Sequence, residues 1–423
     1  MGEQKLLEFN LQYAVLCSLI PPNTSNTWIK LFSNFGKYAY LCVLYMVLLP
    51  FLYELYLAEN LKITDYSLTI MNAGCYICSI STLHFFIRNG RNGRNLVEHL
   101  NKAFKYRTNS DIVQIGMREE NQRTKNITQA FLSLLTVGVL SMTAIPILMK
   151  GRMLPLPGVY PGVDTKNNTL HYIGIYTLQA MGQMIVGQIT SASDTLFITT
   201  VLMTSQQLLV FGADICNCLY DALLQHGVNK EKVLQFREMM HDARWSEDTE
   251  ERINKDRIMT TIRSEDFKVR VLHLLTKYIK HHQEILEFCK VMDGYFLPLL
   301  FMKMCLSMFY HVFMPFSMLH SKQLGLTLIL AQYETCAITE LLVFALAGQT
   351  LINKSEELHR NIFESPWYMC DVNYQKYILM VIMRTGRTTC VSVGKLVPMS
   401  LALFLWMMKT AFSYLAVLRQ VTD

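Results

Sequence analysis

Asp194, Lys303, Glu334, Glu340 and Lys409 are ionisable residues that stand inside long apolar runs of this chain. In hydrocarbon each charge costs roughly 2.5–3.5 kcal/mol on insertion scales, so each is expected to face a cavity, a pore or a partner. Asp194 follows Ile173, where its apolar run begins, by about 21 residues; at about 1.5 Å per residue that puts it near the inner boundary of a membrane, a bland position. Glu334 is expected deeper, either in a functional role or in an intramembrane pair that holds helices together. His281-His282 followed by Glu284 could be read as a metal cluster. Neighbouring residues on a helix point in different directions, however, and a solvated helix face is the expectation. Cys75 and Cys78 make a CxxC inside an apolar run with no second pair to complete a tetrahedral zinc set, so they read as small buried hydrophobes. Cys216 and Cys218 read the same way, with palmitoylation near a membrane boundary as the alternative.

No catalytic signature accompanies these residues. HExxH, GxSxG, the Walker loop and a Gly-rich strand-to-helix turn are all missing from the sequence, so neither an enzyme, nor a metal, nor a cofactor is expected. The net charge of +6 does not point to nucleic acid, because the basic residues fall between apolar runs and build no stacked Arg/aromatic groove.

The elements that must position the charges are membrane helices. At 423 residues, 51% hydrophobic and only 17% charged, the chain is too apolar for an ordinary soluble protein and long enough for several spans. We expect an all-α membrane protein of seven transmembrane helices, with the N-terminus cytosolic and the C-terminus extracellular. Residues 1–37 form a cytosolic N-terminal segment without a signal peptide, in which Trp28, Ile29, Leu31, Phe32 and Phe35 beside Lys30 and Lys37 suit a short helix on the membrane surface. Residues 38–351 carry helices one to six, the first bent at Pro50, with a long cytosolic region at about 216–284. Within that region the stretch Trp245 to Arg263 is the part expected to be disordered. A cytosolic linker at 352–395 and a last helix with a short extracellular tail at 396–423 complete the chain.

The fourth run, Ile173 to Ile215, is longer than a bilayer is thick and should project beyond it on the basic side. The segment before it holds Pro155, Pro157, Gly158, Pro161 and Gly162, so it cannot be a regular helix and is expected to cover the mouth of the bundle. Orientation follows from the loop charges: with the N-terminus inside, 30 Lys and Arg fall in cytosolic segments and 6 outside. A G-protein-coupled receptor needs the reverse orientation. Of three sequons, Asn167-Asn168-Thr169 alone then lies outside, making Asn167 the expected glycan site; Asn23 and Asn126 fall inside.

The closing stretch carries a resemblance. Ser365 to Tyr368, Arg384, Gly394-Lys395, Ser400, Phe404, Lys409, Ser413-Tyr414 and Gln420 match the C-terminal signature of insect odorant receptors, which this chain resembles firmly over Gly348 to Gln420. The sister gustatory receptors end in Thr-Tyr, five residues, Gln-Phe; Ser413 and Val421 at the outer positions favour the odorant branch. Thr388 stands where many relatives place a proline.

The resemblance implies a tuning subunit of a ligand-gated, non-selective cation channel, in the plasma membrane of olfactory sensory neurons. Its implied partners are the co-receptor Orco, in a heterotetramer, a small volatile odorant and membrane lipid. It places assembly contacts at the cytosolic linker, here Trp367, Tyr368 and Arg384, and a pore on the last helix, here Val417, Gln420 and the adjoining Val421. It puts the odorant between helices two, three, four and six toward the outside; by depth and residue type the candidates are Tyr76, Ser79, Ser133, Val137, Met142, Met181, Met184 and Tyr333. Walls of Met, aromatic and aliphatic groups with few hydrogen-bonding partners suit a volatile held by burial and shape. The alternatives are a gustatory receptor channel or, from another class, a transporter, which should show internal repeats and helices broken at mid-membrane.

Overall fold

A computed structural model describes residues 2–23, 26–57, 63–103, 111–148, 154–165, 167–242, 249–321 and 324–422. The helices are α1 (Gly2–Leu16), α2 (Thr27–Tyr56), α3 (Ile63–Ala103), α4 (Asp111–Leu148), α5 (Thr169–Gln225), α6 (Lys230–Asp242), α7 (Thr249–Arg263), α8 (Glu265–His320), α9 (Leu324–Glu364), α10 (Val372–Thr385) and α11 (Leu401–Thr422). Seven of them, α2, α3, α4, α5, α8, α9 and α11, are long and apolar enough to cross a membrane. The core lies where α5, which is largely enclosed, packs on α3, α4, α8 and α9.

Local chemistry explains the element ends. Asn26, Asn168, Ser264 and Asp371 each accept a backbone N–H at the first turn of α2, α5, α8 and α10, satisfying donors the helix itself leaves open. Pro50, Pro146, Pro298 and Pro315 sit inside helices, where neighbouring helices make such breaks tolerable in membranes. With 57 residues, α5 would extend roughly 85 Å at ordinary helical rise, far beyond a bilayer's hydrocarbon.

Three expectations change here. The stretch Trp28 to Lys37 is not a separate surface helix but the first turns of α2, since nothing between Thr27 and Tyr56 other than Pro50 interrupts helical hydrogen bonding. The separate N-terminal helix is α1: Asn10 Nδ2 donates to Thr199 Oγ1 at 2.5 Å and Tyr13 OH lies 2.7 Å from Ser191 Oγ, both on α5. Burial there pushes the Cys17 thiol up to about 11. Part of the charged stretch expected to be disordered is α7, which buries Ile258 and Ile262; residues 243–248 lie outside the described ones. Finally, His282 is not on a solvated face. It is buried and stacked on Phe211 with ring centroids 4.3 Å apart, while His281 turns toward Glu284 at 4.0 Å.

The last membrane helix starts later than its apolar run. Residues before Leu401 form a two-stranded hairpin, β1 (Ser392–Val393) with β2 (Val397–Pro398), turning on Gly394 and Lys395 at φ 61° and 59°. Asp293 on α8 holds this hairpin by accepting from Ser392 N at 2.7 Å and Ser392 Oγ at 3.0 Å. On α9, Gly348 lets the chain pass: a Cβ there would sit 2.3 Å from the Met399 carbonyl oxygen. Pairing α11 to α8 and α9 therefore depends on a glycine and an aspartate contributed from far up the chain.

Candidate functional site

Three of the charges expected in apolar runs form one buried network. Lys303 Nζ on α8 donates to Asp194 Oδ1 on α5 and, at 2.8 Å, to Glu340 Oε1 on α9. Asp194 is 1% exposed and Lys303 8%, so Asp194 is enclosed by the bundle. Helical rise gives depth but says nothing about which way a side chain faces. Glu334 takes the pairing alternative: its Oε1 lies 2.9 Å from His311 Nδ1, whose Nε2 is 3.0 Å from Ser307 Oγ. A cavity of about 70 Å³ separates the two networks, lined by Cys75, Ser79, Lys303, Ser307, Tyr310 and Glu340 among others. The Asp194–Lys303–Glu340 ion pairs join α5, α8 and α9 across the bundle interior, where an unpaired charge is expensive, and the His311–Glu334 contact adds a second tie between α8 and α9.

Nearer the start of α5 lies a second group of interior polar residues. Gln179 is fully committed: its amide accepts from Leu156 N at 3.1 Å and donates to Leu156 O at 3.2 Å and to Tyr160 OH at 3.1 Å. That clamp seats the Pro-rich segment on the bundle, with Leu156 buried and Gly158 against Pro50 and Phe51; residues 151–153 and 166 lie outside the described ones. One turn further along, Gln183 is 6% exposed and neither its Oε1 nor its Nε2 has a hydrogen-bond partner. Tyr76, at 2% exposure, presses its hydroxyl against the backbone of Gly182, where an added Cβ would lie 2.7 Å away. That hydroxyl also has no partner. The Tyr76 ring meets Phe51 edge-on at 5.5 Å. Tyr333, beside Gln183, donates to Asn72 Oδ1 at 3.2 Å and borders a cavity of about 30 Å³ with Met71, Cys75, Tyr310 and Met314.

The eight candidate ligand residues thus divide. Tyr76, Ser79, Met142, Met184 and Tyr333 are buried or half-buried, whereas Ser133, Val137 and Met181 are exposed on the outside of the chain. For α4 the reason is a small-residue contact: Gly138 faces Cys336 and Gln332 of α9, which turns Val137 outward. Gln183, Asn72 and Tyr310 were missed. Their signal was present in the i, i+4 spacing of Gln179 and Gln183 within an apolar helix lacking Lys and Arg.

Among the linker candidates, Trp367 is half-buried with its Nε1 donating to Phe363 O at 3.2 Å, while Tyr368 and Arg384 are exposed. On α10, Tyr374, Ile378, Val381 and Thr385 point inward and Tyr377, Met380 and Met383 outward. Burial, with the Asp371 carboxylate adding to it, pushes the Cys370 thiol up to about 12, so it stays protonated at neutral pH. Among the described side chains of α11, only Leu403, Met407 and Ala411 are buried. Lys409, Ser413, Val417 and Gln420 are all exposed; spaced four, four and three apart, they share one face. Ala416 is also exposed, and Leu418 is half-buried. Val421 belongs to the helix, but its side chain lies outside the described ones.

A bundle of seven helices long and apolar enough to cross a membrane, with polar groups enclosed in its interior, makes a multi-pass membrane protein. The chain belongs to the 7tm odorant receptor family, whose model matches residues 63–412. It is 21% identical over 399 residues to odorant receptor 83a of Drosophila melanogaster, covering 85% of this chain and 87% of the relative. It is 22% identical over 333 residues to putative odorant receptor 85e of the same fly, covering 77% and 71%. The olfactory receptor OR5 of Machilis hrabei has the same fold, with a TM-score of 0.76 at 13% identity over 99% of this chain and 98% of that one. A complex of that receptor with eugenol gives 0.72 over the whole of both chains. The odorant branch expected from Ser413-Tyr414 and Gln420-Val421 is the one the family model matches, and this is a family of receptors, not of enzymes.

Proposed function

We propose that this chain is the odorant-tuning subunit of a ligand-gated, non-selective cation channel, binding a small volatile among Tyr76, Tyr333 and Gln183 and opening a pore lined by α11. The observation that carries the channel reading is the stripe Lys409, Ser413, Val417 and Gln420, exposed on a helix apolar enough to span. Lipid is a poor neighbour for an ammonium and an amide, and water in a central pore among several copies of α11 is a good one. An apolar ring at Val417 can close such a pore by dewetting, and the Gln420 amide offers oxygens to a passing cation, with Val421 following. The ligand reading is supported by the orphaned atoms of Tyr76 and Gln183, each of which costs about 1–3 kcal/mol while unpaired. The structurally similar Machilis receptor forms a complex with eugenol.

We also propose assembly with the co-receptor Orco as a heterotetramer, in the plasma membrane of olfactory sensory neurons; membership of the odorant receptor family and the exposed apolar side of α10 beside Trp367 and Tyr368 support it. Truncating an aromatic anchor in a desolvated contact typically costs 2 kcal/mol or more. Trp367→Ala is therefore expected to lower co-purification with the co-receptor at least tenfold while the chain itself still folds; undiminished capture argues against this surface. Recording odorant-evoked cation currents with and without the co-receptor tests the whole reading, since a gustatory-type channel would respond without it.

For topology we infer a cytosolic N-terminus and an extracellular C-terminus, supported by the loop charges. Asn167 is exposed in the turn before α5, its Nδ2 donating to Asp164 Oδ2 at 2.8 Å. Glycosidase treatment is expected to shift the mobility of the parent but not of Asn167→Gln, and an N-terminal tag to be reached by antibody only after permeabilisation. Surface labelling of that tag on intact cells reverses the orientation.

A further inference from the structure

We propose that the chamber at Tyr76, Gln183 and Tyr333 selects ligands bearing a hydroxyl group, alcohols or phenols, over ethers, esters and hydrocarbons of the same size. The inference rests on reading this chamber as the odorant site and adds the chemical class it takes. Three polar atoms meet there without a partner, all on residues at least nine-tenths buried: the Tyr76 hydroxyl and both ends of the Gln183 amide. Their neighbours leave Gln183 Oε1 and the Tyr76 hydroxyl unserved, and only the Tyr333 oxygen, beside Gln183, is placed to accept from Nε2. Gln179, one turn away, is consumed by Leu156 and Tyr160. Tyr333 gives its proton to Asn72, and Asn72 gives its own to Leu68 O at 2.9 Å.

The unmet demand is specific in kind. Gln183 Oε1 can only accept and Nε2 can only donate. A hydroxyl, which donates one hydrogen bond and accepts others, can satisfy both ends of the amide or one end and Tyr76. An ether or ester oxygen only accepts, so it leaves Gln183 Oε1 stranded, and a hydrocarbon leaves all three atoms so. A carboxylate finds no uncommitted cation nearby, because Lys303 is held by Asp194 and Glu340. Around the polar atoms the walls are Phe51, Val47 and, bordering the cavity of about 30 Å³, Met71, Cys75 and Met314. That cavity, lined by Tyr333 but not by Tyr76 or Gln183, has room for one water-sized molecule, and an odorant reaches the three polar atoms by parting these side chains. Sites built around hydrogen bonds discriminate strongly against analogues that lack them, because their own buried groups are left unpaired.

The test uses the full chain with the co-receptor, recording dose–response curves for isomer pairs that differ in hydrogen-bond donation: n-octanol against heptyl methyl ether, and benzyl alcohol and p-cresol against anisole. In the parent the hydroxyl member of each active skeleton is expected to be at least tenfold more potent than its ether isomer. Gln183→Leu removes the unpaired amide without leaving a buried polar group, and Tyr76→Phe deletes a single oxygen; each is expected to shrink that gap to threefold or less. Equal potency of isomers in the parent, a gap that survives both variants, or a receptor answering amines, acids or esters but no hydroxyl compound overturns the proposal. Tyr333→Ala separates this failure from failure of the site itself. If it reorders the skeletons while the hydroxyl preference is absent or survives the other variants, the chamber stands and the hydroxyl class falls; if none of the three variants moves any ligand, the chamber is not the odorant site.

Discussion

Lys303→Met should nearly abolish mature protein at the cell surface. The substitution keeps the length of the side chain and removes the single cation that separates Asp194 from Glu340, leaving two carboxylates in one enclosed place. Removing one partner of a buried ion pair typically costs about 3–5 kcal/mol, because the remaining charge is stranded. Most proteins have only about 5–15 kcal/mol to lose. The expected result is at least a tenfold fall in surface biotinylation and a clear drop in thermal stability in detergent. The neutral triple variant Asp194→Asn, Lys303→Met, Glu340→Gln should recover most of both, since replacing a whole buried charge network with uncharged groups is often close to neutral. If Lys303→Met behaves like the parent, this network does not hold α5, α8 and α9 together. Failure of the triple variant to recover would mean that the loss came from packing around Lys303 rather than from stranded charge.

Gln420→Arg should cut odorant-evoked cation current about tenfold at equal surface expression. One positive charge about 10 Å from a passing cation, at an effective dielectric of about 20, raises its energy by roughly 1.7 kcal/mol, which is a little more than a factor of ten. Partner subunits contribute their own pore helices, and a lone altered ring position in a mixed assembly gives a partial block rather than silence. Val417→Ser, one turn before on the same face, should instead raise current in the absence of odorant, because a hydroxyl ring holds water where an isopropyl ring expels it. Neither change touches the Tyr76 and Gln183 region, so the order of odorant potencies should stay fixed. Patch-clamp recording with substituted cations checks both variants. Current and permeability matching the parent in each would mean that the face carrying Lys409, Ser413, Val417 and Gln420 meets something other than a pore.

By itself the sequence determined the helical membrane class, the seven spans, the overlong fourth apolar run that becomes α5, its Pro-rich cover, and the family. Each of these is written in short stretches of chain. Span length follows from consecutive apolar residues, a break from clustered proline and glycine, and the branch from Ser413-Tyr414 and Gln420-Val421. Where local hydropathy was asked for more, it failed: Trp28 to Lys37 continues into α2, because an amphipathic pattern does not mark where helical hydrogen bonds stop. The apolar run from Leu396 begins with a hairpin, because Gly394, Lys395 and the distant Asp293 impose a turn there.

Only the tertiary structure decided which side chains meet. Lys303 reaches Asp194 across 109 positions and Glu340 across 37, and no local pattern sets that match. The physical reason is rotation. In a soluble helix the polar face is turned to water and the pattern reveals the inward side, whereas in a membrane the lipid-facing and protein-facing sides are equally apolar. How far each helix turns about its axis is then fixed by close contacts such as Gly138 on Cys336, Gly182 on Tyr76 and Gly348 on Met399. Those contacts turned Val137 outward, satisfied Gln179, and left Gln183 and Tyr76 buried with hydrogen bonds unmade.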